Sequence, residues 1–179
     1  MNDAAGMNQR TIQNPVSLNG IGLHTGAHVT LTMRPALAGE GLCFIRTDLP
    51  VRPVVRVCPA AIVMDEHVTR CTVLEEAGVR VCTVEHILAA VSGLGIDNLA
   101  IEINGEEIPG LDGSSRGFVE ALNKAGIVEQ DAPKEFIEIA EPITKETPMD
   151  REVMTPAPMK SPAPATTKPM SVPSPTPHK

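Results

Sequence analysis

The sequence has no tryptophan and no tyrosine, and its three phenylalanines stand at positions 44, 118 and 136. Base stacking on aromatic platforms is therefore nearly excluded as a binding mode. Any core must be packed from Val, Ile, Leu, Met and Ala. A surplus of positive charge is also missing. Over 179 residues the formal net charge is −7, whereas a nucleic-acid binder needs a clustered basic face, so no nucleic-acid partner is expected. No apolar run approaches the roughly 18 residues of a membrane span, and the polar start, Met1 to Arg10, has no run of signal-peptide length. These absences predict no transmembrane segment and a cytoplasmic protein. The four cysteines, Cys43, Cys58, Cys71 and Cys82, make no CxxC pair. In a reducing compartment they read as buried apolar thiols.

What is present suffices for one domain. Hydrophobic residues make up 42% of the chain, enough for a globular core, and the length is a prior of about one domain. Composition changes near Glu141: ten of the seventeen prolines follow it. Proline at that density removes backbone donors and blocks helices and sheet interiors. Too few large apolar residues remain there to offset the chain entropy of folding. The expected organisation is a folded domain over 9–140 and a Pro-rich, disordered tail over 141–179.

Within the domain, Ala27 to Arg34 alternates Val29, Leu31 and Met33 against His28, Thr30 and Thr32, the pattern of a half-buried strand. Leu42 to Thr47 and Val54 to Cys58 are further strand candidates. Thr72 to Leu74 and Val79 to Cys82 flank Glu76-Ala77-Gly78, which reads as a hairpin turn. Leu99 to Ile103 alternates again and runs into Asn104-Gly105, a strong hairpin signal, before Glu106 to Pro109. A first helix is expected with Thr83 as its N-cap, running through Val91, with Gly93 and Gly95 ending it. A second follows Asp112-Gly113-Ser114-Ser115, carries Phe118, Val119, Leu122 and Ala125, and stops at Gly126. This predicts an α+β fold of two layers: one mostly antiparallel sheet with two helices on one face.

Three segments carry chemistry-bearing residues: Gly20 to Gly26, Thr83 to His86, and Glu107 to Ser114. Glu85 and His86 are adjacent. A neutral imidazole is a good zinc ligand, and a nearby carboxylate can take a proton from zinc-bound water. Consecutive helical residues point about 100° apart, so one can face a metal while the other faces the water beside it. The positive end of the backbone dipole suits an acidic side chain in the first turn. The plainer alternative is a helix-start carboxylate beside a half-buried polar histidine. Gly20-Ile21-Gly22 lacks the spacing of a dinucleotide fingerprint, so these glycines and Gly26 are read as serving tight turns and bulges. Asp112-Gly113-Ser114 has no evident base beside Ser114 and reads as a turn capping the second helix.

The order and spacing of Gly20 to Gly26, Thr83 to Ala90, Gly93 to Pro109 and Leu111 to Ser115 resemble the first domain of the UDP-3-O-acyl-N-acetylglucosamine deacetylases. These are the zinc amidases of lipid A synthesis. The resemblance runs from about Thr11 to Ile139 and includes Phe44 to Asp48. It implies zinc as cofactor, UDP-3-O-acyl-N-acetylglucosamine as substrate, His86 as a metal ligand and Glu85 as the general base. In the family a second domain supplies the other ligands, a histidine and an aspartate. The resemblance therefore implies an incomplete metal site and no activity of this chain by itself. His24, in the loop near the family's cleft, is a candidate substrate-side or second-shell residue. His67, near the family's acyl-chain passage, is another. A site rebuilt from His86, His24 and His67 is a further option. Two readings follow. One is a deacetylase needing the other half in trans, from a second-domain chain. The other is a truncated or non-catalytic remnant, acting as a binding module or self-associating through an exposed apolar face.

Overall fold

The computed structural model describes residues 7–64 and 70–136, which lie in a unit spanning Met1–Ile137. His67, the 140/141 boundary and the Pro-rich tail over 141–179 lie outside the described residues. Among the described residues the order begins with β1 (Asn8–Ile12), β2 (Val16–Ile21), β3 (His28–Pro35), β4 (Leu42–Arg46) and β5 (Val54–Arg56). After a 3-10 turn come β6 (Val73–Glu76), β7 (Val79–Cys82), α1 (Glu85–Gly93), β8 (Leu99–Ile103), α2 (Arg116–Ala125) and β9 (Ile127–Pro133).

The main sheet has five strands in the order β2-β3-β8-β4-β5. Its pairings are antiparallel except β4 with β8, which is parallel. Two-stranded ribbons, β1–β9 and β6–β7, complete the strands. Register explains the core. Leu31 stands opposite Ile103, Met33 opposite Ile101, and Phe44 opposite both Ile101 and Val55. Alternation therefore puts Val29, Leu31, Met33, Phe44, Leu99, Ile101 and Ile103 on one face, while Ile45 lies on the other beside Glu102. Ile87, Ala90 and Val91 of α1 and Phe118, Ala121, Leu122 and Ala125 of α2 join that same core. That other face is mostly polar, with the Ser17 and Thr32 hydroxyls 2.8 Å apart and Arg34 paired to Glu102 at 2.8 Å. The fold is thus the expected two-layer α+β arrangement, with both helices on one face of a mostly antiparallel sheet.

Several local expectations need correction. Asn104-Gly105 does not form a hairpin. Strand β8 is already flanked by β3 and β4, so it has no free edge for a returning strand. Asn104 instead prolongs the pairing with β3, accepting from the Thr30 N–H at 2.7 Å. The chain then crosses to two other partners, with Glu107 bridging Cys82 and Pro109 bridging Gly22. Thr83 is not the N-cap of α1. That position is Val84, and Thr83 takes a left-handed φ of 61°. Gly20 lies in β2 rather than in a turn; it lacks a side chain because a Cβ there would sit 2.8 Å from that of Pro109. None of the cysteines is fully buried, and Cys58, just beyond the edge strand β5, is exposed. The Ala77-Gly78 turn does form. Both residues have positive φ (52° and 78°), the geometry that suits a two-residue hairpin loop.

One polar group enters the core side of the sheet. Arg46 is 7% exposed. It makes a two-pronged pair with Asp48, Nε to Oδ1 at 2.8 Å and Nη2 to Oδ2 at 2.7 Å, and Nη1 donates to the Arg80 carbonyl at 2.8 Å. A planar guanidinium matches a carboxylate in this way, and pairing is what makes its burial tolerable.

Candidate active site

The first turn of α1 opens onto a groove of about 560 Å³ whose walls include Ile21, Leu23, Thr83, His86 and Leu111. The imidazole of His86 thus faces a largely apolar recess. Ile21 and Leu23 are exposed, at 52% and 70%. Glu85 is also exposed, and its carboxylate accepts the backbone N–H of Thr72. The bond fixes the side chain to the residue that precedes β6. The first turn of α1 therefore carries both adjacent residues that the sequence singled out, with Glu85 tied to Thr72.

The loop facing His86 is Gly22 to Gly26, and a carboxylate absent from the expected site residues organises it. Glu107 is 2% exposed. It accepts the His24 N–H at 2.9 Å and 3.1 Å, the Thr25 N–H at 2.8 Å and the Thr25 hydroxyl at 2.7 Å. From the other side it accepts the Thr83 hydroxyl at 3.0 Å. Burial disfavours its charged form. The N–H groups of His24 and Thr25 and the two threonine hydroxyls outweigh this and hold Glu107 below the usual carboxylate range. Gly22 completes the fit. A Cβ there would lie 2.3 Å from Thr25 Oγ1 and 2.5 Å from Glu107 Oε2, which no side chain tolerates. Thr83 is β-branched, so its left-handed backbone is an outlier of the kind that clusters at functional sites. The visible signal in the sequence was an acidic residue next to Ile108-Pro109; its donors lie 24 and about 82 residues away, which no local pattern reveals.

His24 enters this network through its backbone, while its side chain is exposed. Asp112 and Ser114 form the expected capping turn: the Asp112 carboxylate accepts the Ser114 N–H at 3.0 Å and its hydroxyl at 2.8 Å, and Ser114 Oγ accepts the Arg116 N–H at 3.1 Å. Among the described residues no three His, Cys, Asp or Glu side chains come together to hold a metal ion. His86 offers one imidazole donor, short of the three protein ligands a catalytic zinc requires.

Acid should act on two hydrogen-bonded carboxylates, Asp48 beside Arg46 and the buried Glu107. The Arg46 hydrogen bond holds Asp48 below its ordinary range, and Glu107 is lowered as described. A depressed folded-state value stabilises the fold above the unfolded value, about 3.9 for Asp and 4.3 for Glu. That contribution is lost as pH falls through the folded-state values. The thermal midpoint is therefore expected to stay level down to about pH 5 and to drop below about pH 4. A midpoint that rises on acidification would contradict this.

The architecture and groove define an α+β domain with an adjacent carboxylate and imidazole at a helix start, the imidazole lining a largely apolar recess. A family model, UDP-3-O-acyl N-acetylglycosamine deacetylase (LpxC), matches residues 9–167. The chain belongs to that family. It is 47% identical over 150 residues to the UDP-3-O-acyl-N-acetylglucosamine deacetylase of Myxococcus xanthus (strain DK1622), covering 84% of this chain and 47% of the relative. It is 46% identical over 138 residues to the enzyme of the same name from Chromohalobacter salexigens, covering 77% of this chain and 45% of the relative. The chain spans about half the length of these curated relatives. Among the described residues no helix is long and apolar enough to cross a membrane.

Proposed function

We propose that this chain contributes the base and one metal ligand to zinc-dependent hydrolysis of the acetamide of UDP-3-O-acyl-N-acetylglucosamine, a cytoplasmic step of lipid A biosynthesis. The observation that carries the reading is the placement of Glu85 and His86 at the first turn of α1, with His86 lining the groove, in a chain of this family. His86 is the donor this chain offers, and the remaining ligands come from outside the described residues. Zinc, when bound, supplies a Lewis acid for the amide carbonyl and lowers the pKa of bound water. Glu85 takes the proton from the attacking water, and the Thr72 N–H keeps its carboxylate in place. The apolar groove walls, Ile21, Leu23 and Leu111, suit the acyl chain. His24 serves as a polar contact on the substrate side, and the family resemblance makes His67 a second candidate for a substrate-side role.

The test is a deacetylation assay that follows release of the sugar amine. The purified chain is assayed alone and together with a chain supplying the rest of the relatives' length, with zinc and with a chelator. Zinc-dependent turnover by the pair, and none by this chain alone, is the expected result. Absence of turnover in every combination would sink the reading in favour of a non-catalytic binding role.

A further inference from the structure

We infer that Glu107 is a positioning residue of the site, the pin that fixes the His86 end of α1 against the loop from Gly22 to Gly26. The inference rests on the function proposed above for its catalytic consequence, but its geometry stands independently. Three elements far apart in sequence meet on this one carboxylate. Both of its oxygens are used: Oε1 accepts from His24 and Thr83, and Oε2 from His24, Thr25 and the Thr25 hydroxyl. Every partner is a donor, so an ionised group is required. An amide of the same shape would turn an NH2 toward N–H and O–H groups and leave buried donors unpaired.

The strained residue has a purpose in this arrangement. Thr83 sits three residues before His86, and its φ of 61° sets the direction in which the chain enters the helix. Its backbone N–H is bonded to the Thr72 carbonyl at 3.0 Å. The Thr83 hydroxyl, bonded to Glu107, therefore ties the entry of α1 to the opposite wall of the groove. Thr72 also holds Glu85 through its own N–H. Glu107 thus acts on His86 and Glu85 through Thr83, without facing the substrate itself. Outer partners of this kind typically alter metal affinity or activity by about 10–100-fold when removed.

The test compares Glu107→Gln, Thr83→Val and Thr83→Ser in the full chain. The first readout, amide exchange of His24 and Thr25 by NMR, needs no turnover. Exchange should speed up by about tenfold or more in Glu107→Gln. The His86 amide and imidazole resonances should move in both Glu107→Gln and Thr83→Val and stay near wild type in Thr83→Ser, which keeps the hydroxyl. In the zinc-dependent assay, kcat or zinc affinity should fall by about 10–100-fold with KM little changed. Unmoved His86 resonances, or faster loop exchange with kcat and zinc affinity unchanged, would overturn the role and leave Glu107 a structural group only. Should wild type show no turnover, the proposed function fails while exchange and the His86 resonances still decide this point. If Glu107→Gln does not fold, Thr83→Val, which removes a single hydroxyl, decides it by the same readouts.

Discussion

In the two-chain assay proposed above, replacing Glu85 by glutamine is expected to lower the zinc-dependent deacetylation rate by about 10²–10⁴-fold, the usual contribution of a general base. The change is close to isosteric, and the glutamine carbonyl can still accept the Thr72 N–H that the carboxylate accepts. Glu85 is exposed on the first turn of α1, outside the core. The fold should therefore survive, and thermal unfolding of the variant should match wild type. Zinc content should also match, because the substitution spares His86. His86→Ala should behave differently, losing activity together with metal. Initial rates of amine release and metal analysis on the same samples separate the two. A Glu85→Gln rate within about threefold of wild type would remove Glu85 from the base role.

Asp48→Ala should be the most destabilising of the surface-proximal changes. The Arg46 side chain is 9% exposed, and Asp48 supplies two of its three hydrogen bonds. Asp48 is itself 29% exposed, so solvent relieves part of the loss. Removing one partner of a buried pair typically costs about 3–5 kcal/mol, and here the lower end is expected. Urea unfolding measures it directly. The double variant Arg46→Met/Asp48→Ala should recover most of the loss, since the charge is then gone rather than stranded. A single variant as stable as wild type would show that the pair contributes nothing.

Much of the fold was legible because alternation is strong where one face is buried. His28–Pro35 and Leu99–Ile103 carry that pattern clearly. The helices were legible from their apolar faces and from Gly126, whose φ of 78° ends α2. Strands β1, β2 and β9 were harder to see. Their sequences, such as Ile127–Pro133, are polar and half-exposed, and they exist because of partners distant in the chain. The Asn104-Gly105 signal failed for the same reason: turn chemistry is local, while the vacancy of a sheet edge is not. Glu85 and His86 stand out by adjacency at a helix start, but adjacency alone fits a plain helix-start carboxylate, and the roles proposed for them rest on the family resemblance. Glu107 does not stand out, since a buried carboxylate is intelligible only once its donors are known. Thr83 offered a hydroxyl that fits a cap, and the structure uses that hydroxyl elsewhere.

The ribbon that joins the two ends of this domain sets an order on its synthesis. Strand β1 pairs with β9, from Asn8 opposite Pro133 to Ile12 opposite Ile127. Strand β1 therefore leaves the ribosome long before the strand it pairs with. Until residue 133 has emerged, Ile12, buried to 1% in the finished domain, has no ribbon to close over it. At about 5–20 residues per second that wait lasts several seconds. Contacts of such long sequence separation form late and slow the whole reaction. A nascent chain of this domain thus spends those seconds with Ile12, the one apolar residue of β1, uncovered, a window in which a chaperone, rather than the chain's own partner strand, is its natural companion.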